Sequence, residues 1–214
     1  MAETSRNGGV EQAHILLGLL DSVERDGAQS QRRLASELGI ALGLVNAYLN
    51  RCIKKGLVKV SQAPARRYAY YLTPQGFAEK SRLTVDYLSS SFSFFRRARS
   101  DCSELMAEIV ARGSSGVVLA GVSDLAEIAM ICALESKIEI VAVVDPKATS
   151  TTFMGVSVVP SFEPLVAPIE AIIVTDLAAP RQTFENATEL FGAERVWAPA
   201  LLGLRVRATT GKES

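Results

Sequence analysis

The sequence is poor in the side chains that bind metals or form disulfide bridges. Its 214 residues include one histidine, His14, and three cysteines. Cys52, Cys102 and Cys132 lack the close spacing of zinc ligands, and each lies among apolar neighbours in a segment with helical spacing. This pattern predicts reduced, buried thiols and no structural zinc site.

Long apolar runs are also missing. No stretch approaches the roughly 20 apolar residues that a membrane-spanning helix requires. The N-terminal segment MAETSRNGG lacks the apolar core of a signal peptide and is predicted to be a frayed tail. We therefore expect a cytoplasmic protein with no membrane partner.

Net charge is absent, but the charges are unevenly distributed. Residues 1–100 contain 15 Lys and Arg against 8 Asp and Glu, a balance of +7, which leaves 8 against 15, a balance of −7, for residues 101–214. A basic half suits a polyanion, whereas an acidic half is unsuited to contact with phosphates. Random variation of surface charge is the alternative explanation.

The basic half has the element order of a winged helix-turn-helix, in which two short helices precede a two-stranded hairpin. Ser30 is a suitable N-cap for the first short helix and Gly39 ends it. A second helix is predicted over residues 42–55, and two strands flank a turn at residues 63–67. A supporting helix precedes them from Val10 to about residue 23.

Basic and amide side chains of this half are the candidates for DNA contact. In a helix-turn-helix the second helix enters the major groove, where asparagine pairs with adenine and arginine with guanine or phosphate. Arginines at a hairpin tip suit the narrow minor groove. Arginines in the first turn of a helix are unfavourable for the helix dipole, and nearby phosphates would explain them. Ordinary solvated residues are the alternative. The candidates are Arg32, Arg33, Asn46, Asn50, Arg51, Lys54, Arg66 and Arg67.

The pattern LASELGI…VNAYLNRCIKKGLVKV…RRYAYYLTPQGFAEK resembles the MarR-type winged-helix transcriptional regulators. The resemblance covers about residues 10–85 and implies binding to double-stranded DNA. The chain departs from that family by continuing for about a hundred residues more. The resemblance places Asn46, Asn50 and Arg51 on the recognition helix and Arg66 and Arg67 on the wing.

A long helix is predicted from Pro74 to about Arg112. Its serines between residues 89 and 93 predict a kink or a division into two helices. Its apolar series has the spacing of a helix packed along another, either across a two-fold dimer that would bind a palindrome or against the chain's own domains. The series is Leu83, Tyr87, Phe94, Ala98, Cys102, Leu105 and Ile109.

Beyond the glycines and serines at residues 113–116, short apolar strands alternate with amphipathic helices. This alternation predicts an α/β domain with a small parallel sheet. The predicted strands are residues 117–121, 138–145, about 155–159, 171–176 and 196–199, and the predicted helices are residues 124–137 and 180–191.

The first of these strands leads into the position of a dinucleotide-binding turn. A pyrophosphate needs a helix N-terminus and a close backbone approach, which the motif G-x-G-x-x-G supplies. Only Gly121 matches that motif fully, since Ser123 adds a side chain and Asp124 adds negative charge. Asp145 ends the second strand, where a ribose-binding carboxylate is expected. These four are the candidate ligand-binding residues.

The order VVLAGVSDLAEIA…IEIVAVVDPK…GVSVVP…AIIVTD…VWAP looks like the Rossmann domain of the NADH-sensing Rex repressors. It also looks like the N-terminal domain of sugar O-acyltransferases of the sialic-acid type. Both resemblances cover roughly residues 115–200. The first implies NAD as the ligand and the second a sugar nucleotide, while a fold kept only for dimerisation or protein contact is the third interpretation.

Three segments follow from these patterns. They are an α+β winged helix-turn-helix DNA-binding domain (10–74), a connector and dimerisation helix (75–112), and an α/β Rossmann-like domain (115–204). Catalysis is not expected, because the C-terminal half has no histidine and no clustered acid–base pair. We expect a homodimeric transcriptional regulator whose α/β domain either senses a nucleotide effector or binds no ligand. A protein-interaction adaptor is the rival hypothesis.

Overall fold

The computed structural model describes residues 2–63, 67–163, 165 and 169–204, with the backbone alone at residues 2–11, 62, 63 and 67. The chain divides into two compact units, Met1–Phe92 and Ser93–Ser214. The division falls within one long helix, at the serine-rich segment.

The N-terminal unit has the predicted element order. Its helices are α1 (Ala2–Arg25), α2 (Gln31–Leu38), α3 (Leu42–Lys54) and the first part of α4 (Pro74–Ala111), and its hairpin consists of β1 (Val58–Ala63) and β2 (Arg67–Leu72). The prediction of a frayed tail over residues 1–9 is wrong, because α1 begins at Ala2. Once a helix has formed, each added residue contributes a hydrogen bond, so glycines at its end weaken it without stopping it.

The predicted helix signals are confirmed. The Ser30 Oγ accepts a hydrogen bond from the Arg33 backbone N–H at 3.3 Å, and Gly39 ends α2 in the left-handed conformation with φ of 63°. The Thr73 Oγ accepts from the Gly76 N–H at 3.0 Å and caps α4. These residues mark the start and end of α2 and the start of α4.

The loop between α1 and α2 lies against the edge of β2. The Tyr70 N–H donates to the Gly27 carbonyl oxygen at 2.8 Å. A Cβ on Gly27 would lie 2.0 Å from the Tyr70 carbonyl oxygen, so only glycine fits there. Buried side chains of α1, α2 and α3 form the core of this unit, among them Leu19, Leu20, Leu34, Val45 and Leu49.

Helix α4 runs without a break from Pro74 to Ala111, so the predicted division at the serines is wrong. The Ser90 hydroxyl donates to the Tyr87 carbonyl oxygen at 2.8 Å. A serine within a helix is thus able to hydrogen-bond to a carbonyl oxygen of the preceding turn. The predicted apolar series packs mainly within the chain. Leu83 belongs to the N-terminal core, whereas Ala98, Cys102 and Ile109 belong to the C-terminal core.

The C-terminal unit contains a six-stranded, mostly parallel sheet with the order β5-β6-β4-β3-β7-β8. Strand β5 pairs antiparallel with β6, and this two-residue strand was not predicted. The strands are β3 (Gly116–Ala120), β4 (Glu139–Val144), β5 (Thr152–Phe153), β6 (Val156–Val159), β7 (Ala171–Val174) and β8 (Val196–Trp197), and the helices are α5 (Asp124–Ser136) and α6 (Pro180–Phe191).

Helices cover both faces of this sheet. Helix α5 and the C-terminal part of α4 pack on the face that carries Val117 and Leu119, and α6 packs on the face that carries Val118 and Ala120. Burial on two faces explains why β3 and β7 are continuously apolar.

Candidate nucleic-acid interface

Helix α3 buries one face and exposes the opposite one. Val45, Tyr48, Leu49 and Cys52 are buried in the N-terminal core. The predicted DNA-contacting residues of this helix, Asn46, Asn50, Arg51 and Lys54, are all exposed. The helix therefore presents amide and cationic side chains on the surface that does not pack.

The two asparagines of α3 are joined to each other. The Asn50 Nδ2 donates to the Asn46 Oδ1 at 3.3 Å, as residues four apart on a helix are able to do. The Arg51 guanidinium lies 5.8 Å from the centre of the Tyr48 ring, within cation–π range. Each contact joins a polar side chain of the exposed face to a neighbouring side chain of α3.

Small residues lie between these polar side chains. Gly43 and Ala47 are exposed, and they share a face with Asn50 and Lys54 because they recur at helical spacing. A Cβ on Gly43 would meet no atom within 4 Å. The backbone of α3 is thus unobstructed along the centre of its outward face. The helical spacing predicts that both small residues point outward, but it assigns them no role.

The start of α3 is open as well. Its N-cap, Ala41, supplies no side-chain hydrogen bond to the first turn. The exposed residues Leu42 and Leu44 flank that turn. The positive end of the helix dipole therefore faces outward without a side-chain cap.

The two arginines of α2 differ in their surroundings. Arg33 forms ion pairs with Asp26 at 3.6 Å and with Glu37 at 3.3 Å, so much of its charge is balanced within the unit. Arg32 is exposed and has no ion pair within the described ranges. Of the two predicted residues, Arg33 is paired with carboxylates and Arg32 is not, within the described residues.

The hairpin carries the two predicted wing arginines at its tip. Arg66 lies outside the described residues, and Arg67 begins β2 with its side chain undescribed. Lower on the hairpin, Lys59 pairs across the strands with Tyr71, whose side chain is 56% exposed. This pair is absent from the predicted set, although the alternation of the strand places both side chains on one face.

In the C-terminal unit, the predicted nucleotide-binding turn is occupied by its own side chains. The Ser123 Oγ accepts from the backbone N–H groups of Leu125 and Ala126 at 3.1 and 3.2 Å, and donates to the Thr175 carbonyl oxygen at 2.6 Å. Asp124 follows as an exposed residue in the first turn of α5. The donors that a phosphate would use at this helix N-terminus are bonded to serine.

The predicted ribose-binding carboxylate also turns toward the backbone. The Asp145 carboxylate accepts from the Val122 N–H at 3.0 Å and from the Lys147 N–H at 2.8 Å. Gly121 has a φ of 111°, and a Cβ there would lie 2.5 Å from the Asp176 backbone. The four predicted residues therefore lie at the carboxyl ends of β3 and β4, where Asp145 bonds the loop after β3 and Ser123 bonds its own helix and the loop after β7.

Asp176 completes this arrangement at the end of β7. Its carboxylate accepts from the N–H groups of Ala178 and Ala179 at 2.7 and 3.1 Å and from the Thr183 hydroxyl at 2.7 Å. Burial opposes ionisation, but these hydrogen bonds outweigh it and lower the pKa of the carboxyl. The Thr175 hydroxyl donates to the Gly121 carbonyl oxygen at 2.6 Å, which joins the loops after β3 and β7.

Among the described residues, no group of His, Cys, Asp and Glu has the arrangement of a metal site. No helix in the described part of the chain is long and apolar enough to span a membrane.

Comparison with known proteins bears on the N-terminal unit. A family profile described as winged helix-turn-helix DNA-binding matches residues 13–59. The comparison with curated proteins finds no match.

Three solved structures show distant likeness. The PcaV transcriptional regulator from Streptomyces coelicolor is 19% identical with a TM-score of 0.38, over 46% of this chain and 74% of that chain. The same regulator with its natural ligand is 19% identical with a TM-score of 0.37, over 45% and 70%. Human N-acetylserotonin methyltransferase in complex with SAM is 12% identical with a TM-score of 0.28, over 81% and 69%. These TM-scores are too low to bear on fold or function.

The profile match and the order of elements agree. The chain carries a winged helix-turn-helix domain of the DNA-binding type at its N-terminus, followed by an α/β region with a mostly parallel sheet.

Proposed function

We propose that this chain is a transcriptional regulator that inserts α3 into the major groove of double-stranded DNA. The observation that carries the proposal is the outward face of α3, on which small residues leave room for base edges and amides and cations surround them. A helix used only for packing or for contact with an apolar partner has no need of this combination.

Phosphate contacts are assigned to the exposed cations around that face. Arg51 and Lys54 lie on α3, Arg32 at the start of α2, and Lys59 on the hairpin. Arg66 and Arg67 are proposed for the wing, in line with the resemblance to MarR-type regulators. Cations that neutralise phosphates release counterions, so binding must weaken as salt rises.

Fluorescence anisotropy with duplexes from the gene's upstream region tests this proposal. The double variant Arg51→Ala/Lys54→Ala should bind more weakly, and its salt dependence should be shallower by about one unit for each phosphate that is no longer neutralised. Arg181→Ala is the matched control, because Arg181 is exposed on α6 and its side-chain ion pair is with Glu185 of the same helix. Equal salt slopes for the double variant and the wild type would overturn the assignment of Arg51 and Lys54, and a wild type that binds none of the duplexes would favour a protein-interaction adaptor.

We further propose that the regulator is a homodimer formed through α4. Val85, Leu88 and Phe92 recur at three and four residues and are 62%, 45% and 58% exposed. This stripe is defined here as the α4 seam. Its spacing is that of a two-helix interface, and exposed apolar side chains in such a row are typical of association surfaces. Two-fold symmetry through the seam would supply two α3 helices for a palindromic site.

Sedimentation analysis distinguishes the seam from other apolar surface. Leu88→Asp should shift the protein from dimer to monomer, because the carboxylate would be buried against its symmetry mate without a partner. Leu134→Asp is the control, since Leu134 is 79% exposed on α5 and lies outside the seam. A Leu88→Asp variant that remains dimeric contradicts the seam as the interface.

For the α/β region, the geometry favours the hypothesis of a domain that binds no nucleotide at the expected crevice. Its parallel strands lie in the order β6-β4-β3-β7-β8. Numbered one to five along the chain, this is the order 3-2-1-4-5 of a Rossmann-like sheet, which supports the nucleotide-sensing alternative. The donors at that position, however, are bonded to Ser123 and Asp145. Because the dimer is assigned to the α4 seam, we assign the α/β region to protein contact, with no catalytic role.

Thermal unfolding in the presence of ligands tests that assignment. A bound ligand raises the unfolding temperature according to its saturation. If the region binds no nucleotide, then NAD, NADH, ATP and nucleotide sugars at millimolar concentration should leave the unfolding temperature unchanged. A saturable rise with one of them would establish the sensing alternative instead.

A further inference from the structure

We infer that Asn50 is the residue of α3 that recognises adenine and that Asn46 positions it. This inference rests on the proposed function and specifies which base the helix selects and how. It starts from the hydrogen bond that joins the two side chains, with Asn50 Nδ2 as donor and Asn46 Oδ1 as acceptor at 3.3 Å.

The bond leaves Asn50 with the groups that an adenine requires. A carboxamide has two N–H donors and one carbonyl oxygen. One N–H of Asn50 is used by Asn46, while its other N–H and its Oδ1 have no partner among the described residues. Adenine presents an N7 acceptor and an N6 donor in the major groove, so the remaining N–H and Oδ1 of Asn50 match that edge as a bidentate pair.

Asn46 is suited to a different task. Its Oδ1 accepts the bond from Asn50, which leaves its two N–H groups as outward donors without partners in the described part of the chain. An adenine N6 donor would have to share the Asn46 Oδ1 with Asn50, whereas the Oδ1 of Asn50 has no other donor to share with among the described residues. Its contribution is to restrict the rotamer of Asn50, which lowers the entropy cost when Asn50 binds.

The neighbours of Asn50 allow the close approach that a bidentate contact requires. Ala47 lies about one helical turn before Asn50 on the same face, and its side chain is a single methyl group. Gly43, one turn earlier, has no side chain. The Ala47 methyl is of the kind that contacts the thymine methyl of an adjacent A·T pair. The half-site is thus expected to contain A·T pairs opposite the middle of α3.

The test begins with selection of duplexes from a random pool by the full-length protein. Each adenine of the selected site is then replaced by 7-deazaadenine, which lacks the N7 acceptor. Replacement of the adenine at one position should weaken wild-type binding about ten-fold. The Asn50→Ala variant should bind the normal duplex and this 7-deaza duplex equally. Both asparagines are exposed, so the alanine variants keep the core intact.

The role of Asn46 is tested by the 7-deaza penalty, which is the ratio of the affinities for the normal and the 7-deaza duplex. Asn46→Ala should reduce the 7-deaza penalty, whereas Asn46→Asp should restore it, because a carboxylate oxygen accepts the same bond from Asn50. A carboxylate near DNA lowers affinity for both duplexes alike, so the ratio is unaffected. An undiminished penalty in Asn46→Ala overturns the positioning role.

The outcomes also separate this inference from the function on which it rests. If no duplex is enriched, DNA recognition by this chain fails. If a duplex is enriched but no 7-deaza penalty depends on Asn50, DNA binding stands and the assignment of Asn50 to adenine is overturned.

Discussion

Replacing Gly27 with alanine should destabilise the N-terminal unit without altering the outward face of α3. Gly27 lies in the loop before α2, where its carbonyl oxygen accepts from the Tyr70 N–H at 2.8 Å. The added Cβ would lie 2.0 Å from the Tyr70 carbonyl oxygen, and real Cβ atoms stay beyond 3.0 Å. The loop must therefore move by about 1 Å away from β2.

The size of the effect follows from that movement. Breaking the hydrogen bond leaves a buried N–H without a partner, at a cost of about 1–3 kcal/mol. Displacing packed backbone adds about 1–3 kcal/mol. We expect a total decrease in unfolding free energy of about 2–6 kcal/mol, which for a unit of this size lowers the unfolding temperature by roughly 10 °C or more.

The chain carries separate fluorescent probes for its two units. All five tyrosines lie in the N-terminal unit, and the one tryptophan, Trp197, lies in the C-terminal unit. In urea unfolding, Gly27→Ala should lower the midpoint of the tyrosine signal. Gly43→Ala is the matched control with the opposite sign, because it is exposed, helical and free of neighbours, and gains up to about 1 kcal/mol.

Unfolding of Gly27→Ala at the wild-type midpoint would refute the reasoning, since it would mean that the loop does not depend on its contact with β2. A decrease for Gly43→Ala would likewise show that its surroundings differ from those described.

Three further outcomes are expected. Ser123→Ala should lower the tryptophan-detected stability in urea by about 1–2 kcal/mol, because the N–H groups of Leu125 and Ala126 lose their cap; an unchanged midpoint contradicts the capping role. The Lys80 ammonium, hydrogen-bonded to Asp21, lowers the pKa of that carboxyl below its usual 3.8. Because the pKa of Asp21 is lower in the folded state, its ionised form stabilises the fold above about pH 4, and this contribution is lost as the pH falls. Between about pH 6 and about pH 3 the Asp21→Asn variant should therefore lose less stability than the wild type. Equal losses would contradict the pairing. Burial raises the pKa of Cys52 to about 11 and that of Cys102 to about 12, so both thiols should react with a disulfide reagent near pH 8 only as the protein unfolds; prompt labelling of the native protein would contradict their burial.

The helix-turn-helix is predictable from sequence because its signals are local. A cap such as Ser30 and a terminator such as Gly39 act within one or two turns, and periodicity distinguishes the buried from the exposed face of α3. Strands β3 and β7 are predictable for a similar reason, since burial on both faces leaves continuous apolar runs. The two-residue strand β5 is too short to carry a periodic signal.

The rest depends on which groups meet in three dimensions. Both apolar stripes of α4 have helical spacing, and only the fold shows that Leu83 and Ala98 are buried while Leu88 is exposed. Arg33 and Arg32 are equivalent in sequence, yet only Arg33 lies beside Asp26. The spacing of Asn46 and Asn50 predicts a shared face, but it does not predict the hydrogen bond between them.

The same limit applies to the candidate ligand residues. Their positions after β3 and β4 are predictable, because the carboxyl ends of parallel strands lie at one edge of the sheet. That Ser123 contacts the loop after β7 while Asp145 contacts the loop after β3 depends on strand order, which short segments do not encode.

The loops at the ends of β3, β4 and β7 also constrain how this region evolves. Ser123, Asp145 and Thr175 each satisfy backbone groups of a different loop, so a substitution at one of them leaves a partner unsatisfied. Loss of Ser123 alone would free the N–H groups of Leu125 and Ala126, but the same change would remove the cap of α5 and reduce stability until a ligand replaced it. A variant that loses one of these side chains without gaining a ligand is therefore expected to be less stable than the wild type.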